Sequence, residues 1–297
     1  MEISSIYIKS NPYNSNPSFK TNAVGLGKSV LRPDLVQNFT HFFRLGYDID
    51  LLADKIISLQ NKYSYKKPID VIVCGCSDGT KAFEIQMALA SKLKMLGISF
   101  DKIPNIKAFD IDKNLIEIAK KGRINISEKE YTQLDEKYGS LMPDFFNNRD
   151  ALIKIPNDNI EIINDRLGPI KYSYQYNPKL LEKINFYVGD IFEELPKLKS
   201  DVPQIVSCEN IAIYFDELGQ EKLAKTFKDN LSLGSYLLIG LRDGHDIPEC
   251  NKFLKYLKQN WFRNDNKISL DNCECALEKC EYHPETGFYV NFPYRNK

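Results

Sequence analysis

Two glycines and an aspartate carry the most specific chemistry in this sequence. Gly75 and Gly79 bracket the run Gly-Cys-Ser-Asp-Gly, directly after the β-branched residues Val71, Ile72 and Val73. Glycine tolerates left-handed backbone and lets the main chain come close to a ligand. A buried strand, a glycine turn and a helix with open N–H groups at its start form the first half of a nucleotide-binding unit. Many α/β proteins carry one such turn with no ligand, so the turn needs company. Asp110 supplies it, at the end of a second apolar run over 106–110. An ionised carboxylate only accepts hydrogen bonds, and a ribose diol offers two. The competing reading is that Asp110 begins a turn. Asp112 is the better placed helix cap, so Asp110 is assigned to ligand.

Other reactive residues are less specific. Cys273, Cys275, Cys280 and His283 could be counted as zinc ligands, but Cys-x-Cys-x4-Cys-x2-His is not one of the strong zinc spacings. A hairpin with cysteines on alternating faces accounts for them, and no metal is expected. Cys74 and Cys76 flank the glycine turn and read as packing residues. The chain has 3 histidines and no visible Ser-His-Asp set.

The elements that must position these groups follow an α/β rhythm. Leu51, Leu52, Ile56 and Leu59 give a short amphipathic helix before the first strand. From Thr80, the residues Ile85, Leu89, Leu93 and Leu96 recur at helical spacing until Gly97. After the strand at 106–110, Asp112 can cap a helix carrying Leu115, Ile118 and Ala119, which Gly122 can end. Strand, helix, strand, helix predicts a parallel sheet. Residues 123–185 break the rhythm, with strand candidates at 151–155, 160–163 and 170–176. In the last of these Ile170, Tyr172, Tyr174 and Tyr176 alternate with polar residues, which suits a half-exposed strand. This stretch is expected to be a small antiparallel insertion and a partner-binding face. The sheet resumes at 185–190 and 204–208. Asp216 can cap a helix through Leu223, Phe227 and Leu231, and a strand follows at 236–241. Phe253, Leu254 and Leu257 suggest a last helix, and 276–282 with 287–292 a terminal hairpin. Residues 1–37 read as a polar arm with at most one strand at 3–8. The aromatics Phe39, Phe42 and Phe43 would pack a helix against the core.

Composition narrows the class. With 297 residues and 43% hydrophobic, the chain can build one large domain. Lys+Arg and Asp+Glu both count 40, which argues against a nucleic-acid binder working by bulk charge. No apolar run approaches the ~18 residues of a membrane helix, and no basic-then-apolar leader begins the chain. Seven cysteines, an odd number in a chain this large, point to a reduced, cytoplasmic protein.

Four separated motifs then line up. Residues 208–216 read Cys-Glu-Asn-Ile-Ala-Ile-Tyr-Phe-Asp, similar to Cys-Arg-Asn-Val-x-Ile-Tyr-Phe-Asp of the CheR-type chemotaxis protein methyltransferases. Residues 38–44, Asn-Phe-Thr-His-Phe-Phe-Arg, resemble that family's Asn-Leu-Thr-x-Phe-Phe-Arg. Cys76-Ser77-Asp78-Gly79 resembles its Cys-Ser-Thr-Gly, and residues 108–112 its Ala-Thr-Asp-Ile-Asp. The resemblance runs from about residue 38 to about residue 241. The family uses S-adenosylmethionine (SAM) to methylate glutamate side chains of chemoreceptors.

The resemblance implies a Rossmann-like SAM methyltransferase fold over 38–297, with a mostly parallel sheet and 123–185 as an inserted β-rich subdomain. In some family members the small β-subdomain docks on a receptor tail, which implies a protein substrate here. By position, Asn38, Thr40 and Arg44 would line the cofactor and methyl-transfer site. Gly75 and Gly79 would pass under the methionine part of SAM, and Asp110 would hold the ribose. Asp190 and Ile191 would sit by the adenine, while Asn210 and Tyr214 would face the sulfonium. Methyl transfer from a sulfonium is an in-line displacement, and a carboxylate acceptor is already ionised at neutral pH and needs no general base. Arg44 could clamp that acceptor, and the Tyr214 hydroxyl could orient it.

The sequence also departs from the family. Thr80 and Lys81 replace a Glu-Glu pair, one member of which contacts SAM, and Glu209 stands where the family has Arg. Gly240-Leu241-Arg242-Asp243 replaces Gly-His-Ser-Glu. Only 37 residues precede Asn38, so the family's basic helical N-terminal domain is not expected. A second reading is therefore a SAM-binding regulatory or scaffold protein without catalysis. Lys81 and Glu209 motivate it, and Arg44, Asn210 and Tyr214 weigh against it. A dinucleotide-dependent oxidoreductase is disfavoured, because Gly75 and Gly79 do not make Gly-x-Gly-x-x-Gly.

Overall fold

The computed structural model describes residues 40, 42–43, 49–63, 67–146, 170–232, 234–239, 253, 256, 262–263 and 294–296. In chain order its helices and strands begin with α1 (Ile49–Tyr63), β1 (Val71–Cys74), α2 (Thr80–Met95), β2 (Ile106–Asp110) and α3 (Lys113–Lys120). Then come β3 (Arg123–Ser127), α4 (Glu128–Tyr138), α5 (Met142–Phe145), β4 (Ile170–Gln175) and α6 (Pro178–Leu181). The remainder are β5 (Ile184–Val188), α7 (Ile191–Lys197), β6 (Ile205–Cys208), α8 (Glu217–Asn230), β7 (Tyr236–Ile239), β8 (Phe262–Arg263) and β9 (Tyr294–Asn296).

Val71, Ile72 and Val73 form the strand their β-branching predicts, and β1 is buried along its whole length. The main sheet runs β5-β2-β1-β6-β7-β9-β8. β5, β2, β1, β6 and β7 are parallel, and β9 and β8 add an antiparallel end. The chain moves outward from β1 through β2 to β5, then returns to the other side of β1 with β6 and β7. The order therefore reverses between β1 and β6, and a crevice opens at the carboxyl ends of such strands.

Alternation along the strands divides the core. Val71, Val73, Ile205 and Leu238 pack with Ile56 of α1 and Phe83 and Ala88 of α2. Ile72, Cys74, Val206, Cys208 and Leu237 face the other way, toward Leu195 of α7 and Leu223 and Phe227 of α8. Every residue of α2 from Thr80 to Ala90 is buried, because α1 covers the side that the sheet does not. Lys81, Glu84 and Gln86 are caught in that burial and must find polar partners. Gln86 does so through Nε2, which donates to the Leu180 carbonyl at 2.7 Å.

Most of the expected boundaries are recovered. Asp112 accepts from the N–H groups of Asn114 and Leu115 and caps α3, and Gly122 adopts φ +61° just beyond it. Asp216 accepts from Gly219 N at 2.8 Å and caps α8. Residues 123–146 contain more helix than the reading of a β insertion anticipated. β4 is the strand expected at 170–176, and its antiparallel partner is β3, with Ile124 opposite Tyr174. Between them lies α4, which a search for period-two alternation passes over. Its signal was the capping box Ser127-x-x-Glu130. Ser127 Oγ accepts from Glu130 N at 3.2 Å, and Glu130 Oε2 accepts from Ser127 N at 2.9 Å. Phe253 is helical, while Leu254 and Leu257 of the expected last helix lie outside the described residues. The strand candidates at 3–8, 151–155, 160–163, 276–282 and 287–292 lie outside the described residues. Among the described residues no helix is long and apolar enough to cross a membrane.

Candidate functional site

The turn after β1 is built from left-handed backbone. Gly75, Ser77 and Gly79 have φ of +61°, +52° and +93°. A Cβ at Gly75 would collide with the Ile211 side chain, and one at Gly79 would lie 2.8 Å from Phe186 Cζ. Both positions are thus held to glycine by φ and by neighbours. The Gly75 contact also shows that the loop after β6 packs directly on the glycine turn. Gly75→Ala is expected to cost about 1–2 kcal/mol in urea unfolding, because Ile211 can rotate away but the left-handed φ of the alanine cannot be relieved.

Two backbone bonds tie this turn to β2. Cys76 N donates to the Phe109 carbonyl at 3.0 Å, and Ser77 N donates to Asp110 Oδ2 at 2.8 Å. Asp110 Oδ1 accepts from Asp112 N at 2.9 Å. That second bond is the turn the sequence offered as the competing reading, so Asp110 both shapes its loop and braces the glycine turn. Each of its oxygens has a further lone pair for a ligand. Burial pushes the Asp110 carboxyl above the ordinary range, and the N–H donors of Asp112, Ser77 and Ile111 oppose that rise. Next to it, Gly189 N donates to the Asp110 carbonyl at 2.9 Å and brings the end of β5 alongside. Asp190 follows and caps α7 through Phe192 N at 2.8 Å, and Ile191 is buried in the first turn. Ile111, which follows Asp110, is exposed.

The loop after β6 brings the third set of residues. Asn210 takes φ +57° and is half-buried, and Tyr214 ends the 3₁₀ turn Ala212–Tyr214. Glu209 is held from two sides. Ser207 Oγ donates to its Oε1 at 2.9 Å, and Lys81 Nζ lies 3.5 Å from its Oε2. Lys81 Nζ also lies 2.8 Å from Glu84 Oε2; Lys81 and Glu84 are buried, and the Glu209 side chain is nearly so. Burial pushes the Glu84 carboxyl up, while Lys81 and a hydrogen bond from the Phe43 backbone pull it down.

The segment around residue 40 is fixed by two such carboxylates. Phe42 N donates to Glu130 Oε1 at 3.1 Å, and Phe43 reaches Glu84. Phe42 is buried in the core but lies in a turn, not in the helix expected of this aromatic cluster. Thr40 is half-buried; Asn38 and Arg44 lie outside the described residues. Glu84 and Glu130 were not singled out from sequence. The spacing Lys81-x-x-Glu84 is the signal that marks the first, since residues three apart meet on a helix face.

Gly75, Gly79, Asp110, Asp190 and Asn210 are therefore gathered at the carboxyl ends of β1, β2, β5 and β6. Among the described residues no cluster of His, Cys, Asp and Glu could hold a metal ion. Cys273, Cys275, Cys280 and His283 lie outside them. Cys74, Cys76 and Cys208 are buried, and the Cys76 thiol is pushed well up by burial and then by Asp110 and Asp78. Such a thiol packs; it does not attack. A nucleotide fits the remaining chemistry. Asp110 can accept from a diol, and the buried Ser77 Oγ in the turn it braces has no hydrogen-bond partner among the described residues.

Comparison with known proteins agrees with this geometry. The family model described as CheR methyltransferase, SAM binding domain, matches residues 38–158 and 168–262. A chemotaxis protein methyltransferase from Borreliella burgdorferi is 28% identical over 234 residues, covering 74% of this chain and 68% of its own. One from Vibrio parahaemolyticus is 24% identical over 237 residues, covering 75% of this chain and 73% of its own. With the crevice, the glycine turn and the carboxylate of Asp110 at its edge in place, this chain belongs to the CheR methyltransferase family, and its cofactor is S-adenosylmethionine.

Proposed function

We propose that the protein transfers a methyl group from SAM to a glutamate carboxylate on a protein substrate. The observation that carries this reading is the commitment of Glu209. An amine acceptor must lose a proton, and Glu209, next to Asn210, is the residue that could take it. Here Glu209 accepts from Ser207 Oγ and pairs with the buried Lys81, so it is occupied in holding the loop. A carboxylate acceptor needs no such base. The two relatives named above are chemotaxis protein methyltransferases, which supports a protein acceptor.

SAM supplies an electrophilic methyl on a sulfonium. The chain's own residues bind and align. Asp110 accepts from the ribose hydroxyls, and the glycine turn passes under the methionine part. Asp190 and Ile191 border the adenine, with Asn38 and Thr40 contributing to the cofactor wall. Asn210 and Tyr214 face the sulfonium, with the Tyr214 hydroxyl orienting the acceptor and Arg44 clamping it. The domain runs over 38–297 behind an arm at 1–37, and the substrate protein docks along the insertion at 123–185. The reaction is placed in the cytoplasm.

The test is product chemistry. With labelled SAM and cell extract, the label on protein should be released as methanol by mild alkali, since a methyl ester hydrolyses and an N-methyl group survives. Label that stays after alkali rejects the carboxylate reading. No labelling in any extract favours a SAM-binding regulator without catalysis. Arg44→Ala should abolish transfer with thermal unfolding unchanged, because a bidentate guanidinium clamp cannot be supplied by a neighbour.

A further inference from the structure

Asp78 lies in the glycine turn, where the similar family pattern has a threonine. Its Oδ1 accepts from Thr80 N at 3.1 Å and from Thr80 Oγ1 at 2.7 Å. Among the described residues no donor reaches Oδ2, and no lysine, arginine or histidine pairs with the carboxylate. Its surroundings are negative. Burial pushes its carboxyl up, and Glu130 and Asp110 add to the rise against the two Thr80 bonds. The adjacent Ser77 Oγ is a second polar group of the same turn, buried and without a partner among the described residues. A half-buried carboxylate whose charge two others oppose is costly until a cation joins it.

Lys81 cannot serve as that cation, since Glu84 and Glu209 hold it. The cofactor can. Its methionine part ends in an α-ammonium, a strong donor to carboxylate. Ser77 bonds through its backbone to Asp110, the carboxylate assigned to the ribose. Asp78 is the next residue of the same glycine turn, the segment assigned to the methionine part. Thr80 and Lys81 have also removed the two carboxylates that the similar family pattern carries at this place.

We propose that Asp78 Oδ2, with Ser77 Oγ beside it, receives the α-ammonium of SAM, so that Asp78 decides between the intact cofactor and fragments lacking its amino-acid end. The proposal rests on SAM being the cofactor. Its test compares S-adenosylhomocysteine with 5′-methylthioadenosine, which keeps the adenosine and lacks the amino acid, by calorimetry on the full chain. Asp78→Asn keeps an oxygen for both Thr80 bonds and removes the charge. It should weaken S-adenosylhomocysteine by about tenfold to a hundredfold, the range of a hydrogen bond to a charged group, and leave methylthioadenosine within about twofold. The unliganded variant should melt no lower than wild type, because a buried charge between Glu130 and Asp110 has gone.

If both ligands weaken together, or neither does, Asp78 is only a cap for α2 and the proposal is overturned. If wild type binds neither ligand, the cofactor assignment itself fails and the proposal falls with it. A second measurement does not depend on any variant folding. Wild type should bind the desamino analogue of S-adenosylhomocysteine at least about tenfold more weakly than the parent. Equal binding overturns the proposal.

Discussion

Asp110→Ala is expected to weaken SAM binding by about 1.5–3 kcal/mol, roughly tenfold to a hundredfold or more, in calorimetry at pH 7. A carboxylate has about four lone-pair sites. Ser77 N and Asp112 N take one on each oxygen, at 2.8 and 2.9 Å. Acceptor capacity is left on the carboxylate for a ribose diol. Alanine removes that capacity and also releases the N–H groups of Ser77 and Asp112, so part of the loss comes from a loosened turn. A 2′-deoxy analogue of S-adenosylhomocysteine separates the two parts. Wild type should distinguish it from the parent, and Asp110→Ala should not. Unchanged SAM affinity in the variant would remove Asp110 from the site.

The same carboxyl predicts a pH dependence of known sign. Burial raises its folded pKa. A carboxylate raised on folding adds stability in its protonated form, below the unfolded pKa. That stability is lost as pH rises through the folded pKa. Diol donors favour the ionised form, so binding offsets the loss. SAM affinity should therefore rise with pH through the folded pKa of Asp110 and fall below it. In Asp110→Ala that part of the pH profile should be flat.

The sheet was legible because its central strands are unambiguous. Val71, Ile72 and Val73, then a glycine turn, then Ile85 and Leu89 at helical spacing admit one arrangement of strand and helix. Asp112 was legible as a cap, and the structure makes it one, while Asp110 also forms the turn that was weighed against its ligand role. The insertion was less so. Residues 128–138 carry few apolar side chains, and α4 depends on the Ser127–Glu130 capping box and on packing of Leu134 and Tyr138. Hydrophobic period alone does not report a helix of that kind. Glu84 and Glu130 stayed hidden for a related reason. Their partners are backbone N–H groups of Phe42 and Phe43, far away in sequence, and no local pattern announces such a bond.

Lys81 and Glu209 show what sequence could flag but not join. Each departs from the family pattern, and taken separately they look like erosion of a catalytic site. In the folded chain they are one ion pair, 3.5 Å apart, with Glu84 on the same lysine at 2.8 Å. The family pattern has a glutamate in the place of Lys81 and an arginine in the place of Glu209, so the two substitutions together exchange the charge signs at two positions that pair in this chain. Breaking such a pair from one side leaves uncompensated charge in a low dielectric, which costs about 3–5 kcal/mol. Lys81→Met should lose about that much stability in urea at pH 7, since Glu84 and Glu209 then lose the cation they share. Lys81→Glu should do worse, with three carboxylates in one buried space. Adding Glu209→Arg to Lys81→Glu restores opposite charges and should recover more than half of the loss. The double-mutant cycle should give a coupling of about 1.5–3 kcal/mol, the upper part of the range for residues in one buried network. SAM binding should return with stability, because the pair fixes the loop that carries Asn210 without itself touching the acceptor. A double variant no more stable than the sum of its single changes would mean that the two substitutions are independent, and erosion of the site would then be the better account of both.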